Sequence, residues 1–427
     1  MNSTNRSLQR LFGTRAGLVL ATLLATQIQI QAAGTNSTAE SEPIAGKSID
    51  QQMIGLRKQV DDAEAAYMKA PESDNLWTSY SQLNQTNLPR IFELAQQEPQ
   101  SETSFEMFKW IVMNRQIRMR PLYTKAVQSL AYLRDYDATN PDVTRVCRAL
   151  GHNWDSSCKP AVDFLRKVAD VNPDRDARGQ ALLALANFKK QDAQDLNFFL
   201  NAPPVGANFQ KRKADFLDTK KNQTPASLSR EAETLYHEVR NQYADCPSLG
   251  PTNTWQVKST LGDAAKADLF ELEHLSIGDI APGLEGPDID GKKLKLKRYR
   301  GKIVLVSFWA SWCGPCMQMV PSEVRLAQRM KGKSFAIIGV NGDPRREAAR
   351  KAVEKDHMTW PSFYSDKGPD GPIPTAWNVH GWPTYFILDK KGVIRFKGLG
   401  YGQETEKFLD AEVDLLLKGN NATVQAD

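Results

Sequence analysis

The sequence predicts an α/β fold over residues 277–418, preceded by an all-α domain over residues 48–276. Three observations carry this. From Ile49 to about Leu275, apolar residues recur at helical spacing between recognisable capping residues. The texture then breaks at Gly278, Pro282, Gly283, Gly286, Pro287 and Gly291, a turn-rich stretch. Beyond it, short apolar runs alternate with amphipathic ones in the order β-α-β-α-β-β-α, which is the pattern of a sheet with helices on its faces.

In the first region, Ile49, Met53, Leu56, Val60, Ala63 and Tyr67 step by four and three. This seam is too short for a stable coiled coil, so the helix is expected to pack on its own domain. Thr103 and Glu106 read as a capping box before FEMFKWIVMN, and Pro121 as an N1 residue before LYTKAVQSLAYL. Asn140–Pro141 and Asn172–Pro173 each pair a capping residue with a proline at N1. ELAQQEPQSETSFEMFKWIVMN is weakly echoed by KVADVNPDRDARGQALLALANF, as stacked helical hairpins would produce, but the period is too irregular to name a repeat. GDAAKADLFELEHL closes the region as a helix.

In the second region, IVLVSFWA reads as a buried strand, CMQMVPSEVRLAQRM as a helix, FAIIGVN as a second strand and REAARKAVEKD as a helix. TYFILD and GVIRFKG follow as strands around the turn Lys390–Lys391–Gly392, and EKFLDAEVDLLL ends the fold as a helix. The basic run KKLKLKRYRGK, residues 292–302, is expected to turn Leu294 and Leu296 inward and its cations to solvent.

The ends carry other signals. Arg6, Arg10 and Arg15, the apolar run AGLVLATLLAT and the small residues Ala32, Ala33 and Gly34 have the layout of a secretory signal peptide over residues 1–33, with an uncleaved membrane anchor as the competing reading. Residues 34–47 read as a flexible linker and residues 419–427 as a disordered polar tail. A net charge of +5 over 427 residues is too small a surplus to argue for nucleic acid. The five His show no ligand spacing, so no metal and no cofactor are expected.

The five cysteines divide into Cys313 with Cys316, Cys147 with Cys158, and Cys246 left over. In an oxidising compartment Cys147 and Cys158 are expected to be linked in a structural disulfide; two buried thiols acting as small hydrophobes is the alternative.

The segment VLVSFWASWCGPCMQMVP sets a C-x-x-C where a buried strand meets a helix. Cys313 then occupies the helix N-terminus, where unpaired N–H groups and the dipole favour a thiolate. Cys316 lies one turn along, close enough to resolve a mixed disulfide formed at Cys313. A zinc site would need four ligands, and there is no second C-x-x-C.

WCGPC, residues 312–316, resembles the thioredoxin active-site motif. GWPT, residues 381–384, resembles the cis-proline loop of that fold, and Pro321 matches its helix-kinking proline. The stretch IGDIAPGLEGPDIDGKKLKLKRYRGKIVLVSFWASWCGPC is similar to TlpA/ResA-like thioredoxins of the AhpC/TSA and redoxin group. The helical part resembles the uncharacterised segment fused to redoxin domains in exported bacterial proteins. The resemblance implies a thioredoxin-like fold and a redox-active disulfide between Cys313 and Cys316. It also implies a cis Pro383 opposing them, and a substrate surface made by Trp312, Gly314, Pro315 and Trp382. The implied activity is thiol–disulfide oxidoreduction, in the reductive direction on exported proteins. Its partners would be disulfide-bearing proteins and a membrane or exported thiol donor, with the helical domain as a protein-binding platform.

Two departures qualify this. The buried Asp of thioredoxin is replaced by Ser307, and the Glu that ResA-like proteins carry three residues after the second Cys is replaced by Met319. Glu323 is expected on a solvated face, which leaves no acid for proton transfer. Two other functions compete. One is a helical adaptor with a regulatory redoxin domain. The other is a thiol peroxidase, disfavoured because the P-x-x-x-T/S-x-x-C pattern fits neither cysteine.

Overall fold

Several helix starts among the described residues are fixed by short polar side chains that accept the first unpaired N–H groups. Ser48 does this for α1 (Ile49–Lys69), in a reciprocal capping box with Gln51. In the computed structural model, residues 47–70, 73–114, 116, 120–154, 156–203, 205–248 and 259–419 are described. The expected signal peptide, nearly all of the linker and the tail beyond residue 419 lie outside them.

Nine further helices follow among the described residues: α2 (Asp74–Ala95), α3 (Glu102–Met113), α4 (Arg120–Tyr136), α5 (Thr144–Asn153), α6 (Lys159–Val171), α7 (Arg175–Asn201), α8 (Ala207–Thr219), α9 (Pro225–Gln242) and α10 (Leu261–His274). Two caps differ from expectation. Ser101, not Thr103, caps α3 by accepting from the amide of Ser104. Asp174, not Asn172, caps α7; Asn172 instead ends α6 and donates its amide to the carbonyls of Ala138 and Asn140. In each case the winning residue accepts from the amide three residues further on. α1 packs on α2 within its own domain, burying Met53 and Val60.

Cys147 and Cys158 are not joined by a disulfide. Both are buried in the core of the helical region, where the Cys147 sulfur fills volume as a small apolar group. Burial pushes the Cys147 thiol far above its ordinary range, which makes it unreactive. Native protein should therefore leave Cys147 unmodified by iodoacetamide, while unfolding without reductant should expose both residues to it. A Cys147–Cys158 peptide in non-reducing digests of oxidised protein would overturn this.

A two-residue pairing, β1 (Pro247–Ser248) with β2 (Ser259–Thr260), precedes α10. A small hairpin, β3 (Glu285–Pro287) and β4 (Lys293–Lys295), then leads into the main sheet. Leu294 and Leu296 are buried as the alternation required. The sheet is ordered β7-β6-β5-β8-β9. β5 (Ile303–Trp309) lies parallel to β6 (Phe335–Asn341), which is parallel to β7 (Ser362–Tyr364). β8 (Thr384–Leu388) and β9 (Ile394–Leu399) run antiparallel on the other side. The connecting helices are α11 (Gly314–Arg329), α12 (Arg346–Lys355) and α13 (Pro372–Ala376), with α14 (Gln403–Leu417) last.

β5 is buried at every position, and its period of two divides the core. Ile303, Leu305 and Trp309 face the cluster that holds α11 and α14; Val304, Val306 and Phe308 face Leu275, Leu284 and Trp377. The helical region enters the first cluster. Phe209 of α8 is 2% exposed there, and Phe198, Phe199 and Ala202 pack against it. Helical and α/β regions thus share one compact unit.

Candidate active site

β5 ends at Trp309, and the chain turns through Ser311 and Trp312 into Cys313, the N-cap of α11. Pro315 occupies the first turn, where a missing N–H costs nothing and the fixed φ suits a helix. Cys313 and Cys316 form a disulfide with an S–S distance of 2.08 Å. The Cys316 amide donates to Cys313 Sγ over 3.1 Å, the contact that would favour a thiolate there after reduction. Cys313 is 5% exposed and Cys316 2%, so the first sulfur is the more accessible by a small margin.

The two residues before the dithiol are anchored to the turn after β6. Asp343, 1% exposed, accepts from the Ser311 amide at 3.0 Å and the Ser311 hydroxyl at 2.6 Å. Asn341 donates its side-chain amide at 2.8 Å to the same Asp343 oxygen that accepts the Ser311 amide. Trp312 donates its indole N–H to the Gly342 carbonyl at 3.2 Å, yet remains 52% exposed. A Cβ on Gly342 would stand 2.7 Å from the Trp382 ring, so only glycine lets the turn sit against it. Trp312 and Trp382 meet edge to face at 6.1 Å. The Trp382–Pro383 peptide is cis, and the Pro383 carbonyl accepts from Gly400 at 2.8 Å. Trp312, Gly314, Pro315 and Trp382 thus lie around or beside the dithiol, with Pro383 at the base of the Trp382 loop.

The expectation for Glu323 is overturned. It is 2% exposed, on the inner face of α11 beyond Pro321, which lies inside that helix. Ser307 Oγ donates to Glu323 Oε1 at 2.8 Å. Glu323 Oε2 has no hydrogen-bond partner among the described residues, and neither does the nearby Tyr385 hydroxyl. Burial pushes the Glu323 carboxyl up to about 7, against the opposing pull of the Ser307 hydroxyl. A buried acid is therefore present, supplied by the helix to the serine on the strand. The signal was spacing: Glu323 follows Cys316 by seven positions, two turns along one face. The groove between α11 and α14 reaches this acid. Ser322, Glu323, Leu326, Glu406, Leu409 and Asp410 line a pocket of about 10 Å³, room for one water. Asp343, hidden at the end of an apolar strand, carried no comparable signal.

A dithiol at a helix N-terminus, on a five-stranded α/β sheet beside a cis-proline loop, defines a thioredoxin-like thiol–disulfide oxidoreductase. The family model and the sequence relatives agree. The Redoxin family model matches residues 276–415. Thiol-disulfide oxidoreductase ResA of Bacillus thuringiensis subsp. konkukian is 33% identical over 139 residues, covering 32% of this chain and 79% of that protein. Thioredoxin-like protein YneN of Bacillus subtilis is 33% identical over 141 residues, with the same coverage of 32% and 79%. Among solved structures, the thioredoxin domain of a thiol-disulfide oxidoreductase from Bacteroides vulgatus is 29% identical with a TM-score of 0.30, covering 34% of this chain and 99% of that one. Through its C-terminal third the chain belongs to the redoxin family.

Proposed function

We propose that the protein reduces disulfides in exported proteins, with Cys313 as attacking thiolate and Cys316 as resolving thiol. The observation that carries this is a dithiol at the N-terminus of α11, with a buried carboxyl two turns along the same helix pushed up to about 7. The Cys313 thiolate attacks one sulfur of a substrate disulfide; a Cys313–substrate bond forms and the other substrate sulfur leaves as a thiolate. Cys316 then loses its proton toward Glu323 and attacks Cys313, expelling the second substrate thiolate. The substrate gains two electrons and the enzyme is left as the Cys313–Cys316 disulfide. An exported or membrane-bound thiol donor returns it to the dithiol. Trp312 and Trp382 offer the apolar surface on which an unfolded or extended substrate would rest, and the cis-proline loop offers its backbone. The helical region serves as a platform for the protein partner. Export is supported by the basic-then-apolar N-terminal sequence.

The reductive direction follows from Gly314 and Pro315, the pair shared with thioredoxin. Titration of full-length protein against glutathione or dithiothreitol should return a potential near that of thioredoxin, about −270 mV. A value near −120 mV, where strong oxidants lie, would sink the reductase reading and leave an oxidase in its place.

A further inference from the structure

Where the helical region meets the α/β sheet, four charges are withdrawn from solvent. Lys190 of α7 donates to Asp268 of α10 at 2.6 Å and to Glu271 of α10 at 2.8 Å. Glu271 also accepts from Gln194 of α7 at 3.0 Å and from Lys397 of β9. Two cations and two carboxylates balance, and each side chain is less than a quarter exposed. Lys190 and Lys397 hold the Glu271 carboxyl well below the usual range, so it stays ionised. Replacing such a network with apolar residues would often stabilise a protein as well or better, so stability alone is a weak reason for it.

What the network grips is informative. Asn378 sends its side-chain amide to Glu271 Oε2 at 2.7 Å and to Asp268 Oδ1 at 3.2 Å. Its backbone sits at φ 48, the left-handed region that asparagine tolerates better than most residues. Its own Oδ1 accepts from His380 Nε2 at 2.6 Å. Two residues after His380 come Trp382 and the cis Pro383. The segment from Asn378 to Pro383 is therefore clamped at its start by acids of the helical region. At its end it is clamped by the Gly400 amide of the α/β domain.

We propose that Asn378 is a positioning residue for substrate recognition, through which Asp268 and Glu271 of the helical region set the placement of the Trp382–Pro383 loop. The helical region then acts on the dithiol site without touching substrate there, and the α/β domain by itself carries a loosely placed loop. This rests on the reading that this loop receives the substrate strand.

The test uses full-length protein with Asn378→Gly, which permits φ 48 and deletes only the amide. KM for a disulfide-bonded protein substrate such as insulin should rise roughly five-fold. Turnover at saturation, reaction with the small disulfide dithiobis(nitrobenzoate), and the dithiol potential should stay as in wild type. Asn378→Asp keeps the size but faces Glu271 and Asp268 with a like charge, and should raise KM further. Trp382→Ala serves as the control for the underlying reading. If Trp382→Ala raises KM while both Asn378 variants leave it unchanged, the positioning role is overturned and the substrate loop stands. If Trp382→Ala also leaves KM unchanged, the loop does not bind substrate and both readings fall. Equal losses with insulin and the small disulfide would also overturn the proposal, since they would reflect damage to the dithiol.

Discussion

Replacing Cys313 with Ser should reduce disulfide turnover by at least about a thousand-fold, because nothing else at the site can make the first attack. Cys316→Ser should behave differently. Its Cys313 retains the helix N-terminus, so the first bond still forms, and the substrate stays attached as a mixed disulfide. Mass spectrometry of Cys316→Ser protein mixed with insulin should show a stable covalent adduct, absent from Cys313→Ser. Both variants should fold, since Ser fills nearly the volume of Cys at two neighbouring positions of one helical turn. Complementation then separates the remaining alternative. If Cys313→Ser restored a deletion strain as fully as wild type, the dithiol would be dispensable and the helical adaptor would be the function that matters.

Glu323→Gln should have the second largest effect, and in two readouts of opposite character. The folded carboxyl is pushed from its ordinary 4.5 up to about 7, so the folded state holds this proton more tightly than the unfolded chain. The stability this contributes is present in full below about 4.5 and is lost as pH rises through about 7. With the carboxyl raised from 4.5 to about 7, roughly 3 kcal/mol of the stability present below pH 4.5 is gone by pH 8. Gln keeps a donor and an acceptor beside Ser307 and has no charge to lose. The variant should therefore gain on wild type in thermal melts as pH rises from 5 to 8. Glu412, also pushed up to about 7 by burial, is retained in both proteins and adds the same slope to each.

Catalysis should move the other way. Without a proton acceptor behind Cys316, release from a preformed Cys313 mixed disulfide should slow about a hundred-fold near pH 7 and recover only as pH approaches the thiol's own pKa. Stopped-flow release rates would settle this. Equal rates for wild type and Glu323→Gln between about pH 6 and 9 would assign the proton to some other group. Ser307→Asp offers no simple restoration of a thioredoxin-like site, because the new carboxyl would face Glu323 and the two would resist sharing a charge.

The parts of this protein legible in the sequence are those written in local spacing. The C-x-x-C between an apolar strand and an amphipathic helix located the dithiol, because strand burial, helix N-terminus and two-residue separation are all short-range properties. The continuous apolar run IVLVSFWA and the Gly/Pro cluster before it located the α/β region for the same reason. Caps were read with less success, since Asn172 and Thr103 are chemically able to cap and only the path of the chain decides which neighbour does. The tertiary structure alone decided three things: that Glu323 is buried against Ser307, that no disulfide joins Cys147 to Cys158, and that Glu271 reaches Asn378 and Lys397. A carboxylate on a helix reads as solvated until the strand serine and the covering helix are placed around it. Residues 271 and 397 have no local relation at all; packing makes them neighbours, and the loss of water between them turns four ordinary surface charges into one structural device.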